Sequence, residues 1–221
     1  MTSAPEGRLW LAETLWKLGS VQFGDFSLGR TVRNSPVFVN AKLLISRPDA
    51  MVRVAKLIQD ELLLGLTRRN QQFAAFDLLA GVPIGGLHVA TALSLEMQVP
   101  LLYIRSARHE DDIGSPHIEG IYRPGQTAII VDDLAAGGGS LVETVLVLRR
   151  AGLIVQDALV LLDREQGAAG RLEEQGVRLH PLLTLEVLLT YLREANHVGE
   201  DDFARTMTYL RSEGEPRSEF E

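Results

Sequence analysis

The stretch IIVDDLAAGGGS, residues 129–140, decides how this chain is read. Ile129, Ile130 and Val131 continue an apolar run from Ala128, the pattern of a strand buried on both faces of a parallel sheet. Asp132 and Asp133 close that strand, and the loop from Leu134 to Ser140 carries three consecutive glycines before a helical pattern begins at Leu141. Successive backbone N–H groups in such a turn can approach a phosphate at the positive end of a helix. An ordinary strand-to-helix turn also favours glycine, so the turn alone leaves both readings open. The acid pair sharpens the choice. Carboxylates beside a phosphate repel it unless something lies between, either ribose hydroxyls that donate to them or a hard cation such as Mg²⁺. A ligand carrying both a phosphate and sugar hydroxyls fits. The competing reading has one aspartate capping the loop and the other solvated.

The same strand–turn–helix theme occurs on either side. Upstream, Phe73 to Leu79 reads as a strand, followed by the turn AGVPIGG (residues 80–86), a helix from Leu87 to Met97 and a strand from Pro100 to Arg105. The central unit runs from Thr127 through the glycine turn into a helix from Leu141 to Arg150, closed by Gly152, and feeds a strand from Ala158 to Leu162. Downstream, DREQGAAG leads into a helix near Arg171 to Gln175, a strand from Val177 to His180, and a helix that Thr184 can N-cap. Apolar strands alternating with helices predict an α/β fold with a parallel sheet covered on both faces. Before this core, Leu9 to Leu18 reads as a helix stopped by Gly19, Val21 to Ala41 as hairpin strands or a loop-rich hood, and Pro48 to about Leu64 as a second helix. Asp201 to Leu210 reads as a terminal amphipathic helix. No stretch has the composition of a linker, so the expectation is one domain over residues 1–221: N-terminal helices and hood to 65, core over 66–196, C-terminal helix and tail over 197–221.

Composition narrows the function classes. In 221 residues, 46% hydrophobic and 23% charged are ordinary values for a globular protein and exclude a disordered or fibrous chain. A net charge of −7 argues against nucleic-acid partners and against an anionic membrane surface. Without cysteine there is no disulfide or thiolate chemistry, and without a long apolar run no membrane span is expected. The expectation is a cytoplasmic protein. GxxxxGK[ST] is absent and no GxGxxG stands at a strand end, which removes most of the weight from nucleoside triphosphate and dinucleotide readings.

The hydrophobic strand, acid pair and glycine–serine turn of residues 129–140 together resemble the phosphoribosyl pyrophosphate loop of type I phosphoribosyltransferases. AGVPIGGLHVATAL (residues 80–93) looks like that superfamily's pyrophosphate-side loop. LVLLDREQGAAGRLEEQGVRLHPLLTLEVLLTYL (residues 159–192) is similar to the carboxyl half of orotate phosphoribosyltransferases, and FGDFSLGRTVRNSPVFVNA (residues 23–41) resembles their hood. The resemblance implies a Rossmann-like type I fold, transfer of ribose 5-phosphate from phosphoribosyl pyrophosphate to N1 of orotate, Mg²⁺ on the donor, and a homodimer. Carried over, Asp132 and Asp133 hold the ribose hydroxyls, and Ala136, Gly137, Gly138, Gly139 and Ser140 hold the 5-phosphate. Gly81, Val82, Pro83, Ile84 and Gly85 approach the pyrophosphate. Arg164 pairs with the orotate carboxylate, for which the guanidinium fork is suited. Phe38 lines the base pocket or, equally, packs within the hood.

Two departures bear on rate. Threonines usual in the family's phosphate loop are replaced by Ala136 and Gly137, which removes two hydroxyl donors. The lid after LLYIR reads SARHEDDIGSPHIEG (residues 106–120), whereas the family's lid is rich in lysine, and Lys17, Lys42 and Lys56 are the chain's only lysines. Arg105, with Arg108 or His109, is then the candidate cation for the leaving pyrophosphate. Slower turnover than the family norm is expected. Acceptance of another base, or retention of the pocket in a non-catalytic binding protein, are the alternatives.

Overall fold

The computed structural model describes residues 4–28, 32–67, 71–105 and 117–214. Its central strand is β6 (Ala128–Ala135), flanked by β3 (Leu78–Gly81) and β7 (Asp157–Asp163). With β4 (Leu101–Arg105), β5 (His117–Glu119) and β8 (Arg178–Thr184) these form a six-stranded sheet in the order β5-β4-β3-β6-β7-β8. Every pairing is parallel except that of the edge strand β5 with β4, an antiparallel strand the sequence pattern did not reveal. The α/β fold with a parallel sheet is therefore as expected.

Period-two alternation sorts the strand residues between two apolar layers. Ile129 and Val131 of β6 face the layer containing α1 (Ala4–Lys17), α2 (Pro48–Thr67), α3 (Gly85–Met97) and α6 (Leu185–Glu194). Ala128 and Ile130 face α4 (Gly139–Arg150) and α5 (Ala168–Glu173) on the other side. The terminal helix α7 (Glu200–Gly214) joins the first layer through Leu210. Thr184 caps α6 as anticipated, its Oγ1 accepting from Val187 N at 3.3 Å.

The hood is an antiparallel hairpin of β1 (Val21–Leu28) and β2 (Val32–Val39), followed by a short 3-10 turn over Ala41–Ser46. Ala41 and Leu44 are buried, which seats this turn on the core beside α3 and β6. On its other side β2 is held by α7, with Arg205 ion-paired to Asp25 and donating to Gly24 O.

Several boundaries differ from the sequence reading. Residues 73–77 are not strand. Ala74 N donates to the Asp157 carboxylate at 2.8 Å instead of to a neighbouring strand, and Phe73 is buried by packing on the His180 ring, so its apolar signal reflects core packing outside the ladder. The ladder opens at Leu78, after Asp77 and Thr127 have bonded each other in both directions. At the other end β6 continues two residues past the acid pair, with Leu134 and Ala135 pairing Leu162 and Asp163. The acid pair therefore sits inside the strand and the loop proper is only Ala136–Gly138. Helix α5 begins at Ala168, three residues earlier than the sequence pattern suggests, and β8 continues to Thr184.

Candidate active site

At the carboxyl ends of β3, β6 and β7 three turns open onto one crevice, where ligands bind in parallel α/β sheets. Asp132 and Asp133 are 7% and 5% exposed, an unusual placement for adjacent carboxylates. Oδ1 of Asp132 accepts from the backbone N of Asp133 at 2.8 Å. Burial, then the charge of Asp133, push the Asp132 carboxyl well above the ordinary carboxylate range. Oδ2 of Asp133 is buried and, among the described residues, accepts no hydrogen bond; its neighbour at ion-pair range is the ammonium of Lys42, 3.3 Å away, on the hood turn. Hard oxygen donors held in this state suit ribose hydroxyls or a hard cation.

The turn after β3 shows why it is glycine-rich. A Cβ on Gly86 would lie 2.5 Å from Val131 O and 2.6 Å from Asp132 Cα, and one on Gly85 would collide with the Asp133 carboxylate. Gly81 lies close under Leu87, where a Cβ would be 3.0 Å from its Cα. These three glycines let the start of α3 press against β6 and the acid pair. Val82 N donates to Val131 O at 3.0 Å, the Pro83–Ile84 peptide is cis, and Ile84 stands 68% exposed at the tip. Gly85 is thus placed by its acidic neighbour as well as by the loop it belongs to, and Gly86, which the sequence reading passed over, has the same packing role.

On the opposite side Gly138 takes the left-handed conformation, φ 77°, and starts α4 with no side-chain cap. The first amides of α4, at Gly139 and Ser140, are left to an incoming acceptor. Ser140 O accepts from Thr144 Oγ1 at 2.8 Å. Helix α5 closes the loop's outer flank: Ala168 N donates to Ala136 O at 3.0 Å, and the Arg171 guanidinium comes within 3.9 Å of where a Cβ on Gly137 would stand. Arg171 was legible in sequence only as a helix residue; side chains lean toward a helix's N-terminus, which carries it back over the loop.

Arg164 follows β7 and is 3% exposed. Its Nη2 donates to Ser35 Oγ at 3.1 Å and, at 3.4 Å, to Val37 O of β2, whereas Nε is buried without a partner among the described residues. Desolvation lowers its pKa. Among the described residues no carboxylate pairs with it. A buried cation without a counter-ion is costly, and an anionic ligand group would relieve that cost. Phe38, next to Val37, is half-buried with its ring 5.6 Å from that of Phe26, so β2 carries both Phe38 and the groups that Arg164 meets. Asp163 is also buried, which raises its carboxyl, and it turns the chain by accepting from Glu165 N at 2.9 Å.

Arg105 ends β4 with its Nε 3.4 Å from Glu119 of β5, so its charge is shared with an acidic neighbour. His109 and Arg108 lie outside the described residues. Among the described residues no three His, Asp or Glu side chains cluster as a metal site, and no helix is long and apolar enough to cross a membrane.

Comparison with known proteins bears on the family and the fold. The phosphoribosyl transferase domain family matches residues 60–173. An orotate phosphoribosyltransferase of Chlamydia caviae is 33% identical over 199 residues, covering 90% of this chain and 92% of that protein. One from Cenarchaeum symbiosum is 41% identical over 166 residues, 74% of this chain and 78% of that protein. Among solved structures, the orotate phosphoribosyltransferase of Aeropyrum pernix superposes with a TM-score of 0.70 at 33% identity, covering 86% of this chain and 99% of that one. Leishmania donovani UMP synthase superposes with a TM-score of 0.79 at 32% identity over 92% of this chain, which spans 42% of that longer protein. The chain belongs to the orotate phosphoribosyltransferase family and has the type I phosphoribosyltransferase fold.

Proposed function

We propose that this protein transfers ribose 5-phosphate from phosphoribosyl pyrophosphate to N1 of orotate, giving orotidine 5′-phosphate and pyrophosphate. The observation that carries the choice of base is Arg164, a buried guanidinium without a carboxylate partner among the described residues, set against the hood wall at Ser35 and Val37. A pyrimidine carboxylate stacked against that wall supplies the missing counter-charge.

In this reading Asp132 and Asp133 accept hydrogen bonds from the ribose hydroxyls, and the amides of Gly137 to Ser140 hold the 5-phosphate at the start of α4. The turn Gly81–Gly85 takes the pyrophosphate. The C1–oxygen bond breaks with its electron pair leaving on pyrophosphate, N1 supplies the pair for the new C1–N bond, and the N1 proton is released. The protein contributes chiefly by holding the reacting atoms in line and by fixed charges around them. Mg²⁺, when bound with the donor, offsets phosphate charge, and the oxygen donors of Asp132 and Asp133 fit such an ion. Arg105 and His109 remain candidates for the leaving-group side. A homodimer acting in the cytoplasm completes the proposal.

The test is to follow orotate consumption and pyrophosphate release with phosphoribosyl pyrophosphate and Mg²⁺, alongside uracil and purine bases. Orotate alone should be consumed. Turnover of another base instead, or tight donor binding with no turnover of any base, overturns the proposal.

A further inference from the structure

The cation in contact with the acid pair comes from the hood. Lys42 Nζ stands 3.3 Å from Asp133 Oδ2, although its side chain is 54% exposed and the aspartate's 7%. Its backbone is fixed, because Ala41 and Leu44 on either side are buried and Asn40 N donates to Ser20 O at 2.8 Å. The turn that carries it lies against α3 and β6, on the side of the crevice where Gly85 abuts the Asp133 carboxylate. Other described cations at the crevice are committed or placed elsewhere: Arg105 faces Glu119, Arg164 is buried on the hood, and Arg171 flanks Gly137. Lys42 alone combines a rigid base, a flexible four-carbon arm, and a position between the acid pair and the turn after β3.

Resting on the phosphoribosyltransferase reading above, we propose that Lys42 is a mobile charge partner that changes ligand during the reaction. In the free protein it neutralises Asp133. When ribose hydroxyls take over the carboxylates, the ammonium is released toward the space above Gly85 and Gly86, where it meets the pyrophosphate oxygens and stabilises the charge that gathers there as the C1–oxygen bond breaks. The hood then supplies a lysine that the core and lid lack. One residue thereby makes the apo acid pair tolerable and favours the departing group.

The experiment compares the parent with Lys42→Met and Lys42→Arg in the full chain, with a thermal melt to show each is folded. Calorimetry with Mg²⁺ uses inorganic pyrophosphate, phosphoribosyl pyrophosphate and orotidine 5′-phosphate. Lys42→Met should weaken pyrophosphate and phosphoribosyl pyrophosphate by ~10-fold or more and lower saturated turnover by ~100-fold, without weakening orotidine 5′-phosphate, which has no pyrophosphate for Lys42 to meet. Lys42→Arg should recover much of both losses. Equal weakening of all three ligands would mean that Lys42 serves only to support Asp133, and unchanged pyrophosphate affinity and turnover would remove it from the reaction; either result overturns the proposal. A parent that binds neither phosphoribosyl pyrophosphate nor orotidine 5′-phosphate overturns the underlying reading as well.

Discussion

Gly86→Ala puts the site's construction under direct strain. The added Cβ would stand 2.5 Å from Val131 O, about 0.9 Å inside the 3.4 Å at which such contacts become ordinary, and 2.6 Å from Asp132 Cα. Both atoms belong to the backbone of the central strand. Val131 pairs with Gly81 on one side and Leu159 on the other, and its carbonyl accepts from Val82 N at 3.0 Å, so β6 has no direction in which to yield. The start of α3 must retreat by close to an ångström, taking Gly85 and the Pro83–Ile84 turn away from the acid pair. Overpacking of this kind costs ~1–3 kcal/mol, a fall in melting temperature of about 4–8 °C for 2 kcal/mol in a chain of this size. A displacement of ~1 Å at a reacting site costs about 100-fold in rate. Pyrophosphate release at saturating substrates, with a parallel melt, measures both. Gly170→Ala serves as control, because among the described residues nothing beyond its chain neighbours and its own helix backbone lies within 4 Å of the added Cβ. If Gly86→Ala melts and turns over like the parent, α3 is not clamped on the acid pair and the geometric argument fails.

Arg164→Met should weaken orotate by ~2 kcal/mol or more, about 30-fold, while leaving phosphoribosyl pyrophosphate affinity within a factor of two; equal losses for both ligands would make Arg164 structural. The raised Asp132 carboxyl keeps its proton in the native state above the pH at which it ionises in the unfolded chain. Stability of the ligand-free protein therefore falls as pH rises through that interval and stays lower above it. Asp132→Asn should flatten this slope in melts across pH and raise the melting temperature at neutral pH, yet weaken ribose-phosphate ligands in calorimetry. Asp157 behaves oppositely: although burial raises its carboxyl, bonds from His180, Ala74 N and Arg178 hold it below the ordinary range, so its stabilisation is lost as pH falls through its native titration. It opens β7 at the far end of the sheet from the crevice, so Asp157→Ala should lower the unfolding free energy measured by denaturant titration by ~3 kcal/mol with turnover per folded molecule unchanged; a selective loss of activity would contradict this placement.

What the chain states locally, its sequence determined by itself. The run of apolar residues before Asp132, the glycines of 137–139 and the helical spacing from Leu141 are each fixed by neighbours a few positions away, where periodicity and backbone freedom act directly. Hence the central strand, the glycine turn, the acid pair and the α/β class are all readable. The run from Phe73 misleads for the same reason: an apolar segment shows that it is buried but not whether a strand edge or, as with Ala74, an aspartate side chain satisfies its amides. The tertiary structure alone decided which distant groups meet. Arg164 reaches Ser35 across 129 positions, Lys42 of the hood reaches Asp133, and Arg171 is laid over Gly137 by the docking of α5. No local pattern encodes these meetings, because they follow from how buried surfaces such as Ala41, Leu44 and Ala168 pack, and packing is settled only when the whole core closes.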